Sequence, residues 1–274
     1  MTDTPVLAHR LEGDGPPVVL LNGGMMTFPS WEAIAALLRQ RYRILRFDFR
    51  GQLLSPADAA NAVPTDLAGH AADLAALLDR VGWTSAHLGG ASFGAEVALA
   101  FAAARPERVR SLVAITAMDR ETPEFRRGSD EMRALLAHRA GAGGAGDTTA
   151  FYDLLVEGVY SRAYREAEAA TLAARRTQTG LLPETWFEGV DHLLAALEGF
   201  DLTSRLGRIR CPALVLLAAD DRIMDGERAR ALATAIGADV AVHPTSGHAL
   251  VVGDPAWVAN ACLAFLDRLE RNRR

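Results

Sequence analysis

The chain has 274 residues, 50 % apolar, 23 % charged and 7 % aromatic, a globular composition that excludes a disordered or disulfide-scaffolded chain and suits one large domain or a core with an insertion. Its formal charge of −5 leaves no electrostatic footprint for nucleic acid or an anionic membrane. All 29 basic residues are arginine, which excludes the P-loop, kinase, Schiff-base and pyridoxal-phosphate chemistries that require lysine.

In chain order, short β-branched or leucine-rich runs predict strands over 6–12, 17–22, 42–48, 85–88, 109–116, 213–218 and 239–243. Longer alanine-rich runs predict helices over 29–40, 66–81, 93–105, 225–236 and 255–268. Gly13-Asp14-Gly15 ahead of Pro16 marks a turn between the first two strands. The alternation predicts an α/β fold: a mostly parallel, doubly wound sheet covered on both faces. It stops after Thr116 and resumes near Cys211. The stretch between reads as an inserted helical cap at 119–200, with 1–118 and 201–274 as the two parts of one core. The insertion carries 14 acids and 9 arginines, so its net charge of −5 equals that of the whole chain, and it contains a flexible Gly/Ala tract at 140–146. It also holds 8 of the 18 aromatic residues, which either form a small core of their own or roof a pocket.

Two cysteines, Cys211 and Cys262, are too few for a disulfide framework or a cysteine-rich zinc site. No signal-peptide pattern opens the sequence, and no run of eighteen apolar residues interrupts it. A soluble cytoplasmic protein is expected. The basic run at 268–274 reads as a solvated helix end.

The strongest chemical signal is Gly90-Ala91-Ser92-Phe93-Gly94, set between a predicted strand and a predicted helix. A serine held there must sit in a strained turn that projects its hydroxyl, so its neighbours need almost no side chain. The helix that follows aims its N-terminal amides at an oxyanion formed beside Ser92. A hydroxyl is a weak nucleophile near neutral pH and needs a histidine and an orienting acid. His248, in the loop between the last strand and the last helix, is placed to reach the edge where Ser92 lies; His243, five residues earlier, is its rival. The strand over 213–218 runs into Asp220 and Asp221. Asp221 is preferred, with Asp220 and Asp225 as alternatives that would otherwise cap the next helix. The order Ser, Asp, His differs from that of chymotrypsin and subtilisin.

On these residues the sequence resembles the α/β-hydrolase superfamily, in its cap-bearing esterase, lactonase and peroxidase-like branch, over most of 6–118 and 201–268. Val18-Val19-Leu20-Leu21-Asn22-Gly23-Gly24 is similar to the strand and oxyanion loop of that family. The resemblance implies oxyanion donors at the amides of Gly24 and Phe93, with Met25 as an alternative to Gly24. Asn22 stands where the family usually has histidine, and Leu53 where it has the second glycine of a Gly-x-Gly-x-Ser motif. A serine at position 92, rather than aspartate, excludes the haloalkane dehalogenase and epoxide hydrolase relatives.

The expected function is a serine hydrolase acting on a small or medium carboxylic ester, thioester or lactone through an acyl-Ser92 intermediate. Met25, Met26, Phe93, Leu54 and Trp186 are candidate pocket walls, each equally readable as core. The acidic insertion disfavours strongly anionic substrates, with Arg126 and Arg127 as a local exception. No cofactor or metal is expected. The expected partner is a small molecule, and a homo-oligomer is compatible with the sequence. The competing readings are a non-hydrolytic enzyme on the same residues, such as a lyase, an acyltransferase or a cofactor-free oxygenase, and a ligand-binding receptor on the same scaffold.

Overall fold

The computed structural model describes residues 7–55, 57, 62–141 and 148–272. Val6 of the first predicted strand and most of the Gly/Ala tract predicted at 140–146 lie outside the described residues. Among those described, β1 (His9–Glu12), β2 (Pro17–Leu21), β3 (Arg43–Phe47), β4 (Ala86–Ala91), β5 (Val109–Ile115), β6 (Ala213–Ala218) and β7 (Asp239–His243) form one sheet. The spatial order is β1-β3-β2-β4-β5-β6-β7. Only the β1–β3 pair is antiparallel; the other pairs are parallel. Helices α1 (Glu32–Leu38), α2 (Leu67–Arg80) and α3 (Phe93–Ala104) follow β2, β3 and β4. Among the described residues, five α-helices fall between β5 and β6: α4 (Pro123–Gly141), α5 (Thr149–Val159), α6 (Arg162–Ala167), α7 (Ala169–Thr179) and α8 (Glu184–Ala195). After β6 come α9 (Gly226–Ala235), and after β7 α10 (Leu250–Gly253) and α11 (Pro255–Arg271).

Strand side chains alternate between two cores, as a period of two requires. Val19, Leu21, Ala114, Val215 and Leu217 face α2, α3 and α9. Val18, Leu20, Val113, Leu214 and Leu216 face α1 and α11. Nearly all of α3 is buried, because its alanines let it lie close against the sheet. Helix starts follow local chemistry. Asp66, Asp225 and Asp254 cap α2, α9 and α11 with their carboxylates.

The predicted helix over 29–40 begins instead as a 3-10 turn at Phe28–Trp31, where Pro29 occupies the first turn, and becomes α1 at Glu32. The predicted strand over 85–88 extends through Gly89 and Gly90 to Ala91. A Cβ on Gly89 would come within 3.2 Å of Leu20, so close approach of neighbouring elements explains glycines that read as breakers. Between β5 and β6 the regular elements among the described residues are helices, joined by loops, with an isolated bridge of Arg120 with Asp201. Met132, Leu136, Phe151, Trp186, Phe187 and Val190 give these helices a separate core. No helix among the described residues is long and apolar enough to cross a membrane.

Candidate active site

Ser92 joins β4 to α3 with φ 49° and ψ −123°, in the left-handed region that a serine rarely adopts. Such a conformation costs about 1–3 kcal/mol and persists only where its surroundings dictate it. Here they do. The Ser92 amide donates to Ile115 O at 2.9 Å, and the Ser92 carbonyl accepts from Glu96 N at 3.1 Å. A Cβ on Gly90 would sit 2.3 Å from Gly94 O, and one on Gly94 would sit 2.4 Å from Leu21 O. The two glycines therefore let strand, turn and helix close on one another.

Asp221 and His248 come from the loops beyond β6 and β7. The imidazole Nδ1 lies 3.0 and 3.2 Å from the two Asp221 carboxylate oxygens. Asp221 Oδ1 also accepts from the amides of Ile223 and Met224, both at 2.9 Å, so the acid is clamped by its own loop. A carboxylate only accepts; the bond thus places a proton on Nδ1, so that in the neutral imidazole the lone pair falls on Nε2. The rivals have other partners. Asp220 is half-exposed and lies 3.8 Å from Arg222, while Asp225 caps α9. His243 Nδ1 accepts from Ser246 N at 3.0 Å, and its Nε2 meets Asp254 at 3.2 Å.

Ser92 and His248 line one cavity of about 870 Å³, together with Gly24, Met25, Met26, Phe93 and Trp186. Among the described residues no hydrogen bond joins the Ser92 hydroxyl to the imidazole. The amides of Gly24, Met25 and Phe93 donate to no protein group among the described residues, and Phe93 N stands at the positive end of α3. Leu54, expected at a pocket wall, is 47 % exposed and outside the cavity; Leu53 lines it instead. The reason is local: Asp48 Oδ2 accepts from Leu54 N at 3.1 Å, and Leu53 packs with Met25 against the helical core. The aromatic residues of the helical segment do both things expected of them. Phe151, Trp186 and Phe187 pack edge to face in that core, and Trp186, Tyr152 and Tyr160 face the cavity.

Asn22 sits fully buried at the centre of the loops that carry Gly24. Its Nδ2 is 3.0 Å from each of Phe47 O, Asp48 Oδ1 and Gln52 Oε1, and its Oδ1 accepts from Trp31 Nε1 at 3.0 Å. Gln52 Nε2 in turn donates to Gly23 O at 3.0 Å. Burial pushes the Asp48 carboxyl up from its ordinary range, against the pull of the amides of Phe28 and Leu54. A short amide suits this hub because it donates and accepts at once. Sequence reasoning named Asn22 only as a departure and missed Gln52 and Asp48.

It also missed Glu96, one turn beyond Ser92 in α3 and fully buried. Its Oε1 accepts from Met118 N at 2.8 Å. Burial pushes its carboxyl up to about 8, helped by the charge of Asp221. An acid in an otherwise apolar helical run was the available signal. Among the described residues no group of three or more His, Cys, Asp or Glu side chains is gathered as a metal-binding cluster.

Known proteins match this chain in sequence and in fold. A protein of Variovorax paradoxus (strain S110) that carries the name carbamate hydrolase RutD is 31 % identical over 282 residues, covering 93 % of both chains. A Klebsiella pneumoniae protein of the same name is 30 % identical over 88 % of this chain and 87 % of its own. Among solved structures, an alpha/beta hydrolase enzyme from a Medee basin deep-sea metagenome library superposes with a TM-score of 0.88 at 22 % identity, covering 95 % of this chain and 94 % of the other. The enol-lactonase of Burkholderia xenovorans LB400 does so with a TM-score of 0.79 at 23 % identity, over 95 % and 96 %. The alpha/beta hydrolase fold family matches residues 16–255, and with the parallel sheet and the turn at Ser92 already in place, the chain belongs to that family.

Proposed function

We propose that this hydrolase works through a Ser92-Asp221-His248 triad on small or medium carboxylic esters, thioesters or lactones, with residues 119–200 as a cap over the site. The observation that carries the reading is a serine forced into a left-handed turn on the same cavity as a histidine whose far nitrogen is held by a clamped acid. His248 Nε2 takes the Ser92 proton as Oγ bonds to the substrate carbonyl carbon. This requires the two side chains to close on each other, as they do in hydrolases once substrate is bound. The carbonyl oxygen gains the negative charge and accepts from Phe93 N and from Gly24 N or Met25 N. Collapse breaks the bond to the leaving group, which departs with the proton from His248. Water then attacks the acyl-Ser92 carbonyl with His248 as base, releasing the acid and restoring the serine. The name borne by the relatives adds carbamates to the compounds to be tried.

A fluorophosphonate probe tests this directly. It should label the wild type and not Ser92→Ala, and hydrolysis of p-nitrophenyl acetate should fall by roughly 10³-fold or more in the variant. Equal labelling of the two proteins overturns the reading.

A further inference from the structure

Arg175 is a cavity-lining cation with no carboxylate partner among the described residues. It lies on α7, and Gln178 and Thr179, three and four positions further on, share its face and line the cavity with it. Neighbouring arginines are committed elsewhere. Arg176 pairs with Asp153 at 2.5 Å, Arg127 with Glu124 at 3.3 Å, and Arg126 with Glu121 and Glu198. Arg126 and Arg127, the exception expected from the sequence, do not line the cavity. Glu124 is the one acid that does among the described residues, and it is held by Arg127. Arg222 also lines the cavity, 3.8 Å from Asp220. The interior is thus cationic although the segment that roofs it is acidic overall.

Arg175 Nη1 donates to the Tyr160 hydroxyl at 3.3 Å. Tyr160 donates to no group among the described residues, and burial pushes its phenol up to about 12, so its own O–H is kept for a ligand. A guanidinium beside a phenol offers N–H and O–H donors to the two oxygens of a carboxylate. The pair is also tied to the reacting end of the cavity. A Cβ on Gly247 would lie 2.9 Å from Tyr160 C, and Ala249 N donates to Val159 O at 2.8 Å. One tyrosine side chain separates Arg175 from the loop that carries His248.

Resting on the hydrolase reading above, the geometry points to a substrate that bears a carboxylate, received by Arg175 and Tyr160 while its ester or lactone carbonyl meets Ser92. The carboxylate takes no part in bond making; it selects and orients. Monoesters of dicarboxylic acids are then preferred over neutral esters of equal length.

The experiment compares monomethyl with dimethyl adipate, and the glutarate and pimelate pairs, by titrating released acid. In the wild type kcat/KM favours the monoester. Arg175→Gln lowers that preference by about tenfold or more, mainly through KM, as expected for a lost charged hydrogen bond. Arg175→Lys restores part of it, and Arg126→Gln leaves it unchanged. Binding is read separately, by calorimetric titration of monomethyl adipate into Ser92→Ala and into Ser92→Ala/Arg175→Gln, where the first binds at least tenfold tighter. Hydrolysis that depends on Ser92 with a preference indifferent to Arg175 overturns the carboxylate subsite and leaves the hydrolase reading standing. Arg175-dependent binding without Ser92-dependent turnover overturns the hydrolase reading and keeps the subsite. Absence of Arg175-dependent binding overturns the subsite whatever the turnover.

Discussion

The sheet core and the helical segment above it hold their residues by different means. Around Ser92 the backbone itself is locked: helix, turn and strand touch through glycines that tolerate no added carbon, and the acid is gripped by two amides of its own loop. In the helical segment α6 buries none of its residues and α7 buries only Leu172. Side-chain contacts such as Arg175 with Tyr160 tie α7 to the chain that follows α5, and the segment meets the core at two backbone junctions, Gly189 of α8 against Gly51 and Gly247 against Ser161. The difference teaches where each task resides. Bond making needs groups held to fractions of an ångström, which close-packed backbone supplies, whereas selection among substrates tolerates a looser and more variable wall.

The largest effect that would test this division lies in the core. Asp221→Asn keeps the amide contacts of Ile223 and Met224 available through Oδ1, but an amide nitrogen toward the imidazole favours the wrong tautomer. The kcat for ester hydrolysis should fall by roughly 10³- to 10⁴-fold with little change in thermal stability. A loss of less than tenfold would show that Asp221 does not set the histidine tautomer.

A smaller effect is expected at the junction. In Gly247→Ala the new Cβ would stand 2.7 Å from Ser161 N and 2.8 Å from Val159 O, both backbone atoms that cannot swing aside. The segment must shift away from the His248 loop. A decrease in kcat/KM of about tenfold is expected, together with a fall in Tm of about 3–6 °C. Unchanged kinetics and melting would mean that the two regions are not coupled there.

The smallest effect concerns Glu96 and sharpens the contrast by measuring how dry the core is. Burial raises its folded pKa to about 8, while the unfolded chain ionises near 4.5. Between those values the folded state holds a proton that the unfolded state has lost. Glu96 therefore removes stability as pH rises, by at most about 1.4 kcal/mol per pH unit. Glu96→Gln keeps an acceptor for Met118 N and should flatten the dependence of Tm on pH between 5 and 8. Parallel curves for the two proteins would show that Glu96 is ionised and solvated in the fold.

Local patterning made most of the architecture readable. A fully buried parallel strand must be an apolar run, and an elbow serine must be flanked by glycines, so the run entering β4 and the turn at Ser92 announce themselves within a few residues. The prediction that the strand would stop at 88 failed because Gly89 and Gly90 look like breakers until their neighbours are known. Leu53 and Leu54 exchanged roles for a similar reason: which of two adjacent leucines faces a cavity depends on the hydrogen bond that Asp48 makes to the backbone. Gln52, Glu96, Arg175, Tyr160 and Gly247 carry no motif.

Sequence alone determined the βα rhythm, its interruption between β5 and β6, and the positions of Ser92, Asp221 and His248 beyond strand ends, because each follows from side-chain periodicity or turn sterics over short spans. Tertiary structure decided that Asp221 and not Asp220 reaches the imidazole, which amides on the cavity wall have no protein partner among the described residues, and that Arg175 on that wall has no carboxylate partner among them. Those outcomes depend on contacts between residues far apart in the chain, whose distances are set only when the layers pack.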